Sequence, residues 1–317
     1  MKIIVTGGAG FIGCHLSRKL VEEGNEVLVI DALHPYYSKK RKIDQLTYIG
    51  EAGTFRYEEK NLLDDEEEVQ KIFLEFQADC VVHLAALPGV SYSLEAPGQY
   101  VDYDVKATVN VLKFSGESNV KHVLYASSSS VYGEQANEPL SEDMAAGKVI
   151  SPYAAAKYGA EAFCHAFASM YQYDMTILRF FTVYGPWGRP DMAITKFIER
   201  ILNGEEITVF GNRTSRDYTY IDDIIEGISA AIQKARGTNI INLGSSMPVS
   251  IEDLLAALAK HFPEMKIQQA GFRQGDVTST WADTTKAKEL LDYRAKVPFE
   301  EGLARTVKWA VDYYGKE

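Results

Sequence analysis

The stretch Thr6-Gly7-Gly8-Ala9-Gly10-Phe11-Ile12-Gly13 decides the fold. It follows a β-branched run at 2–6 and opens an amphipathic stretch at 11–23. Glycines between a strand and a helix permit a tight turn and let a pyrophosphate approach the backbone. The helix N-terminus offers that pyrophosphate free N–H groups and the positive end of its dipole. Asp31 ends the next β-branched run, about where an acid binding the adenosine ribose is expected. A carboxylate there accepts hydrogen bonds from the ribose hydroxyls and repels a 2′-phosphate, which favours NAD over NADP. The cluster Lys39, Lys40, Arg41, Lys42 argues mildly the other way, but a run of like charge reads more simply as a solvated loop. Gly7, Gly10, Phe11, Ile12, Gly13 and Asp31 are therefore the expected cofactor-binding residues.

Working outward, short β-branched runs at 2–6, 26–30, 54–58, 80–84, 122–126 and 176–180 alternate with amphipathic stretches such as 11–23 and 96–115. That alternation predicts an α/β fold, a Rossmann-type doubly wound parallel sheet with helices on both faces. After Phe181 the rhythm changes: Gly, Pro, Arg and Asp become frequent, and helices at 194–202 and 251–261 intervene. We expect residues 1–181 to form an NAD-binding domain, with 218–243, read as a helix and then an apolar strand, returning to it. Residues 182–217 and 244–317 would form a smaller C-terminal α/β substrate-binding region over the carboxyl ends of the strands, where open sheets bind ligands.

The chain has 317 residues, 46% of them hydrophobic, enough for a sizeable core, and carries a net charge of −11. That charge repels polyanions, so a nucleic-acid role is disfavoured, and an anionic substrate would need local arginines. No apolar run approaches the roughly 18 residues that span a bilayer. The first residues lack the marks of a signal peptide. A cytoplasmic protein with no membrane partner is expected. Cys14, Cys80 and Cys164 are odd in number and widely spaced, which argues against a disulfide framework and a zinc pair. The six histidines form no metal-spaced group and read as packing or surface residues, so no metal is expected.

Two later features carry reactive groups. Ser127-Ser128-Ser129-Ser130-Val131-Tyr132-Gly133 follows the fifth strand, and Tyr153-x-x-x-Lys157 opens a helix after Ser151-Pro152. A spacing of four puts the phenol and the ammonium on one helix face. A phenol is a poor base at neutral pH, but a neighbouring ammonium and a cationic nicotinamide make phenolate accessible. A serine hydroxyl could share the substrate proton.

Gly7-x-x-Gly10-x-x-Gly13, His83-Leu84-Ala85-Ala86, Ser128 and Tyr153-x-x-x-Lys157 together resemble the extended short-chain dehydrogenase/reductases, over nearly the whole chain. Within that superfamily four stretches resemble the UDP-glucuronate 4-epimerases: Leu87-Pro88-Gly89-Val90, the run from Leu178 to Met192, the run from Arg216 to Asp223, and Thr280-Trp281-Ala282-Asp283. The resemblance implies that Ser128, Tyr153 and Lys157 are catalytic, and that Leu84, Ala85 and Ala86 join the cofactor site. It implies that Pro88, Thr182 and Arg216 approach the sugar or diphosphate, that Arg273 and Asp276 hold diphosphate and uridine ribose, and that Arg189 faces the sugar carboxylate. Phe210 is open between stacking on uracil and ordinary core packing. Arg179, at a strand end, reads as structural, and Arg213 is open to a surface salt bridge. Two positions depart from relatives: Asn61 stands where an acid often contacts the adenine, and Asp104 stands where an asparagine is usual near the cofactor. A homodimer through the 96–115 and Tyr153 helices is implied by the same analogy.

The implied reaction is hydride transfer from C4 of a UDP-hexuronic acid to NAD, turning of the 4-keto sugar, and hydride return to its other face. A 4-keto uronic acid is a β-keto acid and loses CO₂ unless its carboxylate is held near the ketone plane. UDP-glucuronate decarboxylation is therefore one alternative. A 4-epimerase of UDP-glucose or UDP-N-acetylglucosamine is another, and a non-catalytic NAD-binding sensor or scaffold is a third of a different class.

Overall fold

The computed structural model describes residues 1–135, 138–211, 214–271 and 277–315. Its strands are β1 (Lys2–Thr6), β2 (Glu26–Asp31), β3 (Arg56–Glu59), β4 (Cys80–His83), β5 (His122–Ser128), β6 (Asp174–Phe180), β7 (Thr182–Tyr184), β8 (Ile207–Phe210), β9 (Ser215–Tyr220), β10 (Thr238–Leu243), β11 (Pro248–Ser250) and β12 (Ile267–Ala270). Its α-helices are α1 (Phe11–Glu22), α2 (Lys39–Gly50), α3 (Glu66–Phe76), α4 (Val90–Glu95), α5 (Pro97–Tyr100), α6 (Ala107–Glu117), α7 (Pro152–Tyr171), α8 (Ala193–Leu202), α9 (Ile221–Lys234), α10 (Ile251–His261), α11 (Thr285–Leu291) and α12 (Phe299–Tyr314).

Seven strands form one parallel sheet in the order β10-β6-β5-β4-β1-β2-β3. Successive strand residues point to opposite faces, and both faces are buried. Ile3, Val5, Val27 and Val29 pack with Leu16 and Leu20 of α1 and Ile224 and Ile228 of α9. Ile4, Leu28 and Val81 pack on the other face with Val69 and Phe73 of α3, Val111 of α6 and Cys164 of α7. The three cysteines are buried and free.

The strand order reverses beside β1, where β4 lies on one side and β2 on the other. The crevice outside the carboxyl ends of such strands is where doubly wound sheets bind their ligands. Beyond Phe180 the chain leaves the sheet for a three-stranded sheet, β11-β9-β7, and a two-stranded one, β12-β8. Strand β10 then returns to pair in parallel with β6.

Three local expectations are corrected. The stretch 96–115 is not one helix: a π-helical turn, Val101–Lys106, separates α5 from α6. The stretch 218–243 begins inside strand β9 rather than in a helix, because Tyr218 and Tyr220 alternate in register with Thr182 and Tyr184. The Lys39–Lys42 cluster is no solvated loop: it is the first turn of α2, and Arg41 and Lys42 are buried.

Candidate active site

The glycine stretch forms a cradle that a side chain would fill. Gly7 has φ +71°, and a Cβ there would lie 2.6 Å from the Ala85 nitrogen; one on Gly13 would lie 2.2 Å from the Gly7 carbonyl oxygen. The turn after β1 therefore touches the turn after β4, and α1 sits close against the glycine turn. No side chain caps the N-terminus of α1, which leaves its N–H groups to a ligand. Asp31 is buried at the end of β2, with Oδ2 accepting the Ala9 N–H (3.1 Å) and Oδ1 the Leu33 N–H (2.8 Å). Burial raises its carboxyl above the usual range, against the opposing pull of the Lys42 ammonium 4.0 Å away. A glycine turn at an uncapped helix N-terminus beside a buried carboxylate could hold the pyrophosphate and a ribose of a dinucleotide.

His83 fixes the two turns from within. Its ring nitrogens lie 2.7 Å from Thr6 Oγ1 and 3.0 Å from Thr108 Oγ1. Burial holds its pKa down at about 3, so the ring is neutral.

Ser128, Tyr153 and Lys157 come from two elements. Ser128 ends β5, where its Oγ accepts the Ser130 N–H at 3.2 Å. Ser151 caps α7 by accepting the Ala154 N–H, with Pro152 in the first turn. That start presents Tyr153 to the cleft, with Lys157 one turn below it. Lys157 is buried and donates to the Ala126 carbonyl at 3.0 Å; its Nζ lies 6.0 Å from the centre of the Tyr153 ring.

One cleft of about 1110 Å³ is lined by every named cofactor residue, from Gly7, Gly10, Phe11, Ile12, Gly13 and Asp31 to Leu84, Ala85 and Ala86. Ser128, Tyr153, Lys157, Pro88, Thr182, Arg189, Phe210 and Arg216 line it too. Phe210 is exposed on its strand, which favours a ligand-facing ring over a core one. Arg216 Nη1 donates to the Ser215 and Thr278 carbonyls at 2.8 and 3.2 Å. Arg189 makes a two-point pair with Asp191, Nε to Oδ1 at 3.0 Å and Nη2 to Oδ2 at 2.7 Å, and Tyr36 donates to the same carboxylate at 3.2 Å. Burial works to raise the Asp191 carboxyl, but Arg189 outweighs it and holds the group below its usual range. Arg273, Asp276 and Arg213 lie outside the described residues.

Arg179 is not in the cleft. It is buried and pairs with Glu161 of α7 at 2.9 and 2.8 Å, tying β6 to the helix that carries Tyr153. Asp217, inside the 216–223 motif, is also structural. It accepts the N–H groups of Ser245, Ser246 and Ala282 and so ties that motif to the 280–283 motif.

Two pairings at the site are not read from the sequence alone: Asp104 with Lys157 and Asp191 with Arg189. Asp104, expected near the cofactor, is fully buried with Oδ2 3.8 Å from Lys157 Nζ and Oδ1 accepting the Leu87 N–H at 2.7 Å. Asp191 lies in the run from Leu178 to Met192, two residues after Arg189, and that spacing is the available signal for the pair. Among the described residues no group of three His, Cys, Asp or Glu could hold a metal, and no helix is long and apolar enough to cross a membrane.

A glycine cradle and a Ser-Tyr-Lys triplet in one cleft at a strand-order reversal fit a Rossmann-type nicotinamide-dependent enzyme. The chain belongs to the NAD dependent epimerase/dehydratase family, whose match covers residues 3–244. It is 39% identical to a UDP-glucuronate 4-epimerase of Thermodesulfobacterium geofontis, over 97% of this chain and 95% of that one. Among solved structures, the UDP-glucuronic acid 4-epimerase of Bacillus cereus in complex with UDP-glucuronic acid and NAD matches with a TM-score of 0.92 and 33% identity, over 99% of this chain and 100% of that one. The UDP-glucose 4-epimerase of Thermotoga maritima matches with a TM-score of 0.89 and 31% identity, again over 99% and 100%.

Proposed function

We propose that this protein is an NAD-dependent UDP-glucuronate 4-epimerase, forming UDP-galacturonate. The observation that carries the reading is the presence of Arg189 in the same cleft as Ser128, Tyr153 and Lys157. An arginine fork suits a sugar carboxylate. Similarity to proteins named for this activity supports it.

In this reading Gly7, Gly10, Phe11, Ile12, Gly13, Asp31 and Leu84 to Ala86 would hold NAD, which would supply reversible hydride acceptance at C4. Tyr153 takes the C4 hydroxyl proton, Ser128 shares it, and Lys157 holds positive charge beneath the phenol. Pro88, Thr182, Phe210 and Arg216 line the nucleotide-sugar side, with Arg273 and Asp276 assigned there by resemblance. Arg189 and Thr182 hold the carboxylate near the ketone plane and so suppress loss of CO₂. Residues 1–181 with 218–243 serve the cofactor, and 182–217 with 244–317 serve the sugar nucleotide. The protein works in the cytoplasm as a homodimer; exposed Val101, Phe163 and Met170 on the π turn and α7 supply apolar surface for pairing.

Purified protein incubated with UDP-glucuronate and no added cofactor should give UDP-galacturonate by proton NMR. A pentose product would make it a decarboxylase. Turnover of UDP-glucose alone would favour the second reading, a neutral-sugar epimerase, which the neutralisation of Arg189 by Asp191 supports.

A further inference from the structure

The loop that carries Arg189 is gripped at three successive carbonyls. His15 of α1 lies with Nε2 2.9 Å from the Pro186 oxygen, Gln45 of α2 donates to the Trp187 oxygen at 3.4 Å, and Arg41 of α2 donates through Nη2 to the Gly188 oxygen. Trp187 between them has φ +62°, a left-handed conformation that a bulky residue adopts only when its surroundings impose it. Its ring is held by Tyr48, Trp309 and Tyr313, at centroid distances of 5.8, 5.3 and 5.0 Å.

Arg41 is the unusual member of this grip. It is 5% exposed, and among the described residues no carboxylate lies within ion-pair distance of it. Its Nη1 donates to the Tyr314 hydroxyl at 2.6 Å, and its guanidinium lies 5.2 Å from the centre of the Trp309 ring. A buried cation is costly unless its donors are used. Here one of them goes to the carbonyl of the peptide whose N–H belongs to Arg189. Fixing that peptide plane fixes where the Arg189 Cα points its side chain. Arg41 does not line the cleft, and its hydrogen bond to the Gly188 carbonyl joins it to the loop that carries Arg189.

We propose that Arg41, steadied by Tyr314 of the C-terminal helix, is a positioning residue that sets selectivity for a sugar bearing a carboxylate over one bearing a hydroxymethyl group. The inference rests on the proposed uronate reading. Neither Arg41 nor Tyr314 lines the cleft that holds the glycine cradle and the Ser-Tyr-Lys triplet, so their substitution should change substrate affinity without removing a group from the hydride or proton steps.

The test measures dissociation constants for UDP-glucuronate and UDP-glucose in a Tyr153→Phe background, where neither sugar is consumed. Adding Arg41→Met should weaken UDP-glucuronate about tenfold, the loss of one charged hydrogen bond's worth of orientation, and leave UDP-glucose within about twofold. Tyr314→Phe removes only the hydroxyl that steadies the guanidinium and should act in the same direction by about threefold; it guards against a misfolded Arg41 variant. A preference of the Tyr153→Phe protein for UDP-glucose sinks the uronate reading and this inference with it. A preference for UDP-glucuronate that both added substitutions leave intact, or that falls equally for the two sugars, overturns the Arg41 inference alone.

Discussion

Asp191 takes both ends of the Arg189 fork, only two residues away along the chain, and receives the Tyr36 hydroxyl as well. The arginine therefore meets a substrate carboxylate with a resident carboxylate already beside it. Arg189→Ala should lower kcat/KM for UDP-glucuronate roughly a hundredfold while sparing UDP-glucose, since only the charged sugar uses the fork. Asp191→Asn keeps the shape and removes the competing charge. It should lower KM for UDP-glucuronate by roughly three- to tenfold. Steady-state kinetics on both sugars decides; a higher KM in Asp191→Asn would show that the aspartate orients the arginine more than it competes with the substrate.

Asp104 supplies a pH signature. Burial raises its pKa to about 6, with Lys157 and the Leu87 N–H pulling the other way. A raised carboxyl binds its proton more tightly in the folded chain than in the unfolded one. Stability from this group is therefore full below about 4 and is lost as pH rises towards 6. Asp104→Asn cannot titrate. The stability difference between variant and wild type should drift in favour of the variant by about 1.4 kcal/mol per pH unit across that window, then level off. Urea unfolding from pH 4 to 8 measures the drift, and a constant difference would remove Asp104 from the titration.

His15 and His83 act with the opposite sign. Burial lowers their pKa values to about 4 and about 3. Both rings stay neutral in the fold and take a proton readily only on unfolding, so their stability is full above about 6.5 and is lost as pH falls below it. Between pH 6.5 and 5 the protein should lose stability at about 1.4 kcal/mol per unit for each histidine. His83→Asn should show a shallower acid slope in thermal or urea unfolding than the wild type.

Gly13 and Gly10 should part company when each becomes alanine. A Cβ on Gly13 would meet the Gly7 oxygen at 2.2 Å and the Gly8 Cα at 2.6 Å, whereas one on Gly10 meets only the Gly7 oxygen, at 3.1 Å. Gly13→Ala must push α1 off the glycine turn, costing about 2 kcal/mol of stability and the bound cofactor. Gly10→Ala should fold with nearly unchanged stability and lose cofactor affinity alone. Thermal melting together with the absorbance of nucleotide released on denaturation separates the two.

What was legible in the sequence is what neighbours in the chain decide. The cradle at Gly7 to Gly13, the ribose acid at Asp31 and the Tyr153–Lys157 face each depend on one turn or one strand end, and α10 runs over Ile251–His261 as its apolar period predicts. The π turn at Val101–Lys106 was hidden because a stripe of apolar residues reads the same with one extra residue wound into it. Arg41 looked like part of a solvated run because the rings that bury it, Trp309, Tyr313 and Tyr314, come from the far end of the chain. The partner of Lys157 was obscured for the same reason: Asp104 reaches it across the fold from a different helix.

The return of β10 to the sheet has a consequence for biosynthesis. Strand β6 gains its second neighbour only when Thr238–Leu243 arrives, after the whole of β7, β8, β9 and α9 has been made. A growing chain thus emerges from the ribosome with β6 as a bare strand edge whose N–H and C=O groups can pair with another nascent chain. That edge stays open for as long as translation takes to travel from Phe180 to Leu243.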